Sequence, residues 1–266
     1  MTHIRTGIGG WNFDEWRTTF YPKHVKKKDE LEYASGVLKS IEINSTYYRG
    51  QKPETFAKWR DATPEGFVFA VKGNRFVTIK KVLAEAGESM EKFFATGVTE
   101  LGDKLGPLLW QFAPTKKFDE ADFGAFLDML PRKRDGVTFR HAVEVRHESF
   151  CVPEFATLAK KHNIAIVYAL HPTYPAIADV TSDFIYARLQ TGSDEIETCY
   201  GGNELGAWAQ RFQTWNDGGL PSDLPLIAPD IKPETVQRDV FAYLISSGKS
   251  RAPAGAMALQ KLVDQT

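Results

Sequence analysis

Six ionisable residues stand on or beside short apolar runs: Glu42 in SIEIN, Lys72 in FVFAVK, Glu144, Arg146 and His147 in HAVEVRH, and Arg188 in FIYARLQ. Two carboxylates brought together are equipment for general acid–base work, one giving a proton while the other takes one. Two arginines and a lysine are equipment for gripping a phosphate or carboxylate, the arginines in two-pronged fashion. A lysine withdrawn from water also becomes an amine nucleophile able to form a Schiff base. The set therefore points to a small-molecule substrate that is polar and anionic. Glu144, Glu42, His147 and Lys72 are the candidate catalytic residues, and Arg146 and Arg188 are the candidate grips. Trp11 and Tyr47 are candidate walls of such a site, since a flat ring stacks on a planar or sugar ring.

Other chemistries fit less well. Retaining glycosidases built on barrels carry their carboxylates on strands 4 and 7, where this chain has Gln111 and Arg188 or Gln190. A metal held by Glu42, Glu144 and His147 would have Lys72, Arg146 and Arg188 as neighbours, and those cations repel a metal ion. Neither a metal nor a cofactor is expected. The basic run KHVKKKDE (23–30) invites a nucleic-acid reading, yet acidic residues follow at once and the run reads better as a solvated lead into a helix. With 33 Lys and Arg against 34 Asp and Glu, the net charge of −1 supplies no global field towards nucleic acid or anionic membrane. Nucleic-acid binding, including a repair-related role, stands as the alternative to the small-molecule enzyme.

The 266 residues are 42% hydrophobic, enough for a large core. No window holds the roughly 18 consecutive apolar residues of a membrane helix. The N-terminal MTHIRTGIGGW lacks a secretory pattern. Two cysteines, Cys151 and Cys199, show no ligand spacing and suit free thiols in a reducing compartment. A cytoplasmic protein is expected.

Positioning the charged residues requires strands. Eight apolar runs recur, at 3–9, 40–44, 67–72, 107–112, 141–146, 164–170, 184–190 and 240–245. Helix-length segments lie between most of them, at 29–38, 54–62, 88–103, 119–129, 153–162 and 203–216, with another at 254–264. The connection 171–183 is too short and proline-rich for a long helix. Stretches 73–87 and 218–238 read as irregular insertions. Eight strand–helix repeats predict an α/β fold, a single (β/α)8 TIM-type barrel occupying residues 1–266. In such a barrel alternate strand residues face the helices or the interior. Ile41 and Ile43, Phe69 and Val71, Val143 and Val145, and Ile185, Ala187 and Leu189 belong to the outer set. Glu42, Asn44, Lys72, Gln111, Glu144, Arg146, Arg188 and Gln190 then face inward from five strands, near the ends where barrel active sites are built.

The motifs GIGGWNFDEWRTTFYP, SIEINSTYYR, TPEGFVFAVKGNRFVT, LGDKLGPLLWQFAP, AVEVRHESF, DFIYARLQ and DVFAYLISSGKSRAPAGAMAL occur in this order. On them the chain resembles the YecE-like family, domain of unknown function 72. The resemblance implies a TIM-type barrel and no particular reaction. Its recurrent polar positions match at Trp11, Glu42, Asn44, Tyr47, Lys72, Gln111, Glu144, Arg146, His147 and Arg188. Two places depart from the common pattern: Gln190 stands where histidine is usual, and Ser246 and Ser247 stand where asparagines are usual. These departures suit a subfamily with a different ligand.

Overall fold

The computed structural model describes residues 3–265. Strands β1 (Ile4–Gly9), β2 (Ser40–Ile43), β3 (Val68–Lys72), β4 (Leu105–Gln111), β5 (His141–Glu144), β7 (Phe184–Thr191) and β8 (Asp239–Ser247) pair in parallel in one sheet. The sixth stave, β6, comes as two pieces, Ala165–Ile166 and Tyr168–Leu170. The first piece pairs with β5 and the second with β7, so one stretch of chain joins the two margins of the sheet. β1 pairs with both β2 and β8. The result is the expected eight-staved barrel.

The predicted helices form at α1 (Glu30–Val37), α2 (Pro53–Asp61), α3 (Gly87–Phe94), α4 (Glu120–Met129), α5 (Pro153–Lys161), α6 (Gly202–Asn216) and α7 (Ala252–Val263). Local chemistry sets their ends. Pro53 and Pro153 occupy first turns, where a missing N–H costs nothing. Asp119 caps α4 by accepting from the Asp122 N–H at 2.9 Å. The helix expected over 88–103 breaks in two at Gly97, whose φ of 85° ends α3 before a 3-10 turn at Val98–Lys104. Connection 171–183 holds no helix. The 73–87 insertion carries a short helix, Arg75–Thr78, and a 3-10 turn, Leu83–Ala86.

The expected parity is realised. Ile41, Ile43, Phe69, Val71, Val143, Val145, Ile185, Ala187 and Leu189 all belong to the main core between barrel and helices. A second, smaller core fills the barrel interior and includes Val68, Ala70, Leu109, Ala142, Phe184 and Phe241. These alternate with the first set, as the two-residue period of a strand dictates. The middle of the barrel is thus apolar and filled, with an Arg5–Asp239–Arg140 cluster at the strand starts and a second polar layer at the C-terminal ends of the staves. Among the described residues no helix is long and apolar enough to cross a membrane.

Candidate functional site at the barrel mouth

Arg188 is the hub of the polar layer. It stands on β7 and is 5% exposed. Its Nε and Nη2 donate to Glu42 at 3.1 and 3.0 Å, and its Nη1 donates to Glu144. Both carboxylates are fully buried. A second cation completes the arrangement: Arg146 donates through Nε to Glu144 Oε1 at 2.6 Å, with Nη2 equally close to the same oxygen. Neutral donors use the remaining lone pairs. Gln111 Nε2 reaches Glu144 Oε1 at 2.9 Å, Tyr186 Oη reaches Glu42 Oε2 at 2.7 Å, and Asn44 Nδ2 reaches Glu42 Oε1 at 2.9 Å. A buried charge network is tolerable only when its members are paired and hydrogen-bonded in this way. Gly9, on β1, is part of the fit. A Cβ there would lie 3.0 Å from both Asn44 Nδ2 and Ile245 Cγ2, so those side chains would have to give by a few tenths of an ångström.

These contacts fix charge states. Burial alone would raise the Glu144 pKa, but the guanidiniums of Arg188 and Arg146 and their hydrogen bonds outweigh it and hold the carboxyl at about 2. Burial alone would lower the Arg188 pKa, and Glu144 and Glu42 reverse that. Glu144 is therefore a fixed anion at neutral pH, which is poor equipment for the proton transfer expected of it. Each of the three Arg188 nitrogens already donates to a carboxylate, so Arg188 orders the layer rather than offering an open grip.

Lys72 differs from the other charges. It ends β3 and is 7% exposed. Its Nζ makes no hydrogen bond or ion pair among the described residues, and it lies 4.2 Å from the centre of the Tyr47 ring. Burial, seconded by the Arg188 charge, pushes its pKa down to about 8, against an upward pull from Glu42 and Glu144. The loop after β2 supplies the ring. Thr46 Oγ1 donates to the Lys72 carbonyl at 2.6 Å, and Asn74 Nδ2 donates to the Thr46 carbonyl at 3.1 Å. The short helix Ser45–Tyr48 is thereby fastened to the end of β3, with Tyr47 beside the lysine.

The remaining expected site residues fall in three places. Gln190, on β7, is 3% exposed; its Oε1 accepts from Ser246 Oγ at 3.4 Å while its buried Nε2 has no partner among the described residues. His147 lies in the loop after β5, where Nδ1 accepts from the Ser149 N–H at 3.1 Å and caps a 3-10 turn. Trp11 packs edge-on to Trp59 of α2, with ring centres 5.2 Å apart, and beside Phe69. That places its ring against the outer core. Among the described residues no three His, Cys, Asp or Glu side chains come together to hold a metal.

Two rim residues were not anticipated. Connection 171–183 brings Tyr174 to Arg146, with the guanidinium 4.5 Å from the ring centre and the phenol oxygen 3.5 Å from Nη1. His171 stacks on Tyr174 at 3.7 Å and 8°. Burial, then the Arg146 charge, lowers the His171 pKa. The sequence signal was HPTYP (171–175), an aromatic pair braced by prolines just past β6.

The comparisons with known proteins agree with this architecture. A family model described as "Protein of unknown function DUF72" matches residues 5–266. The chain is 29% identical over 134 residues to UPF0759 protein YecE of Escherichia coli K12, covering 49% of this chain and 46% of the relative. It is 26% identical over 158 residues to UPF0759 protein YunF of Bacillus subtilis, covering 57% and 54%. The chain thus aligns with about half the length of these curated relatives. Two crystal structures share the fold, each with a TM-score of 0.67. One is a DUF72 family protein from Enterococcus faecalis at 17% identity, covering 100% of this chain and 99% of that one. The other is from Thermotoga maritima at 22% identity, covering 99% and 98%. At such identities the likeness speaks for the fold alone. With a barrel of this form and a family match spanning nearly every residue, the chain belongs to the DUF72 family.

Proposed function

We propose that the protein is an enzyme whose barrel mouth receives a small substrate bearing a phosphate or carboxylate, with Lys72 and Arg146 meeting the anion. The observation that carries this reading is Lys72, a largely buried lysine whose ammonium has no ionic or hydrogen-bonding partner among the described residues. Three cations, Lys72, Arg146 and Arg188, share the layer with two carboxylates, and both carboxylates are committed to the arginines. A surplus positive charge at a largely buried polar layer favours an incoming anion. Arg146 is a second contact, since its side chain is 18% exposed and Nη1 is met only by the distant Tyr174 hydroxyl. Glu42 and Glu144 orient the two guanidiniums. Proton movement at neutral pH falls to Lys72, whose pKa of about 8 suits that work better than a carboxyl at about 2. A cytoplasmic setting, with Cys151 and Cys199 as free thiols, fits this reading.

Calorimetric titration with inorganic phosphate tests it. Wild-type protein binds, and Lys72→Met weakens binding by at least about tenfold, or ~1.4 kcal/mol. Equal affinity in the two proteins would remove Lys72 from the site.

A further inference from the structure

Lys72 has the surroundings of a nucleophilic amine. A lysine that served only to neutralise the polar layer would sit within ion-pair reach of Glu42 or Glu144, and it does not. Those carboxylates are turned to Arg188 and Arg146. Its Nζ lies over the face of Tyr47, and the charges of Arg188, Glu42, Glu144 and Arg146 all act on it. A second cation beside a partly desolvated lysine is a recognised means of freeing an amine from its proton. The groups that bear on its titration are Arg188 and Arg146, which disfavour the ammonium, and Glu42 and Glu144, which favour it; burial lowers the pKa, so that a minor but larger than usual fraction of free amine is present at neutral pH.

We propose that Lys72 forms a Schiff base with a small aldehyde or ketone that also carries an acidic group, the acidic group lying against Arg146. This rests on the anion-binding reading of the same mouth. The Nζ lone pair adds to the carbonyl carbon, forming the C–N bond while the C=O π pair moves to oxygen. That oxygen takes up a proton and the nitrogen gives one up, leaving a neutral carbinolamine. A second proton lets the oxygen depart as water as the nitrogen lone pair forms C=N. The protonated imine that results carries one positive charge, as the ammonium did, so the charge count of the layer is conserved. Amine plus carbonyl gives imine plus one water, and no oxidant or reductant enters.

Reductive trapping tests this. The full chain is incubated at pH 7 with pyruvate, a ketone bearing a carboxylate, and cyanoborohydride, which reduces an imine to a stable secondary amine. Peptide mass spectrometry then compares Lys72 with the exposed Lys81 and Lys92. Lys72 is expected to be modified faster than either by on the order of tenfold, because more of its amine is unprotonated, and phosphate is expected to slow it. Lys72→Arg keeps the cation, and so keeps phosphate binding while losing the adduct. Modification of Lys72 no faster than of Lys81 and Lys92 overturns the Schiff-base inference. Phosphate binding that persists in that case leaves the anion site standing, whereas its absence as well overturns both.

Discussion

At the scale of single residues, Lys72 and Glu144 make opposite predictions. Lys72 is held as a largely buried cation with no ionic partner among the described residues. The drop from an ordinary 10.5 to about 8 is a cost of about 3 kcal/mol for keeping it charged at neutral pH. Without a bound anion, Lys72→Met is expected to raise stability by about 1–3 kcal/mol, measured by urea unfolding in anion-poor buffer. A loss of stability would mean that the ammonium is paired after all. Glu144 is the reverse case. Glu144→Gln leaves Arg146 and part of Arg188 uncompensated in a buried layer and is expected to cost about 3–5 kcal/mol in the same assay. A change under about 1 kcal/mol would show that solvent screens the layer. The identities of these residues were legible in the sequence because strand parity exposes any charge on an inward position. Their division of labour was not. Which carboxylate each guanidinium holds depends on distances across the barrel, and those left Lys72 alone while saturating Arg188.

At the scale of elements, Gln190 and Ser246 meet at one spot. Register between β7 and β8 shifts after Leu189, so Gln190 faces an extra residue on β8, and Ser246 adopts φ 68° there. Bulges of this kind re-aim side chains near sites. Ser246→Gly is expected to raise the unfolding free energy by about 1 kcal/mol, since glycine takes the left-handed conformation without strain. Thermal denaturation reads this out; a lower midpoint would show that the hydroxyl contact with Gln190 matters more. Elements with strong alternation or clear caps were readable, as the match of α4 with Asp119 and of α2 with Pro53 shows. The split of β6 at Val167 was not, because a continuous apolar run conceals where pairing passes from one neighbour to the next. The rim stack of His171 and Tyr174 was likewise hidden, since a connection without periodicity gives no orientation. Trp11 was misplaced by the same lack: a residue just past a strand end follows no parity, and its ring went to the outer core.

At the scale of the molecule, barrel closure fixes a buried titratable set that governs acid stability. His141 starts β5 with Nδ1 accepting from Trp110 Nε1 at 3.1 Å and Nε2 beside the Pro131 carbonyl at 2.8 Å. Burial lowers its pKa from 6.5 to about 4. The fold thus keeps it neutral, and its contribution is complete above pH 6.5 and is lost as pH falls towards 4. Glu144 contributes fully above its ordinary 4.5 and loses that contribution as pH falls towards 2. Each is worth about 3 kcal/mol, so stability should decline in two stages below pH 6.5. Equilibrium unfolding across pH 2–7 checks this, and a flat profile down to pH 4 would be inconsistent with a neutral buried His141.

Lys72 is central: a largely buried lysine without an ionic partner among the described residues, whose charge an anion relieves. Nitrogen-detected NMR of the lysine side chains measures this directly. Lys72 is expected to titrate near pH 8 in the free protein, and its midpoint is expected to rise when inorganic phosphate is added, because a bound anion favours the ammonium. A Lys72 midpoint at or above the ordinary 10.5, unmoved by phosphate, would contradict the claim.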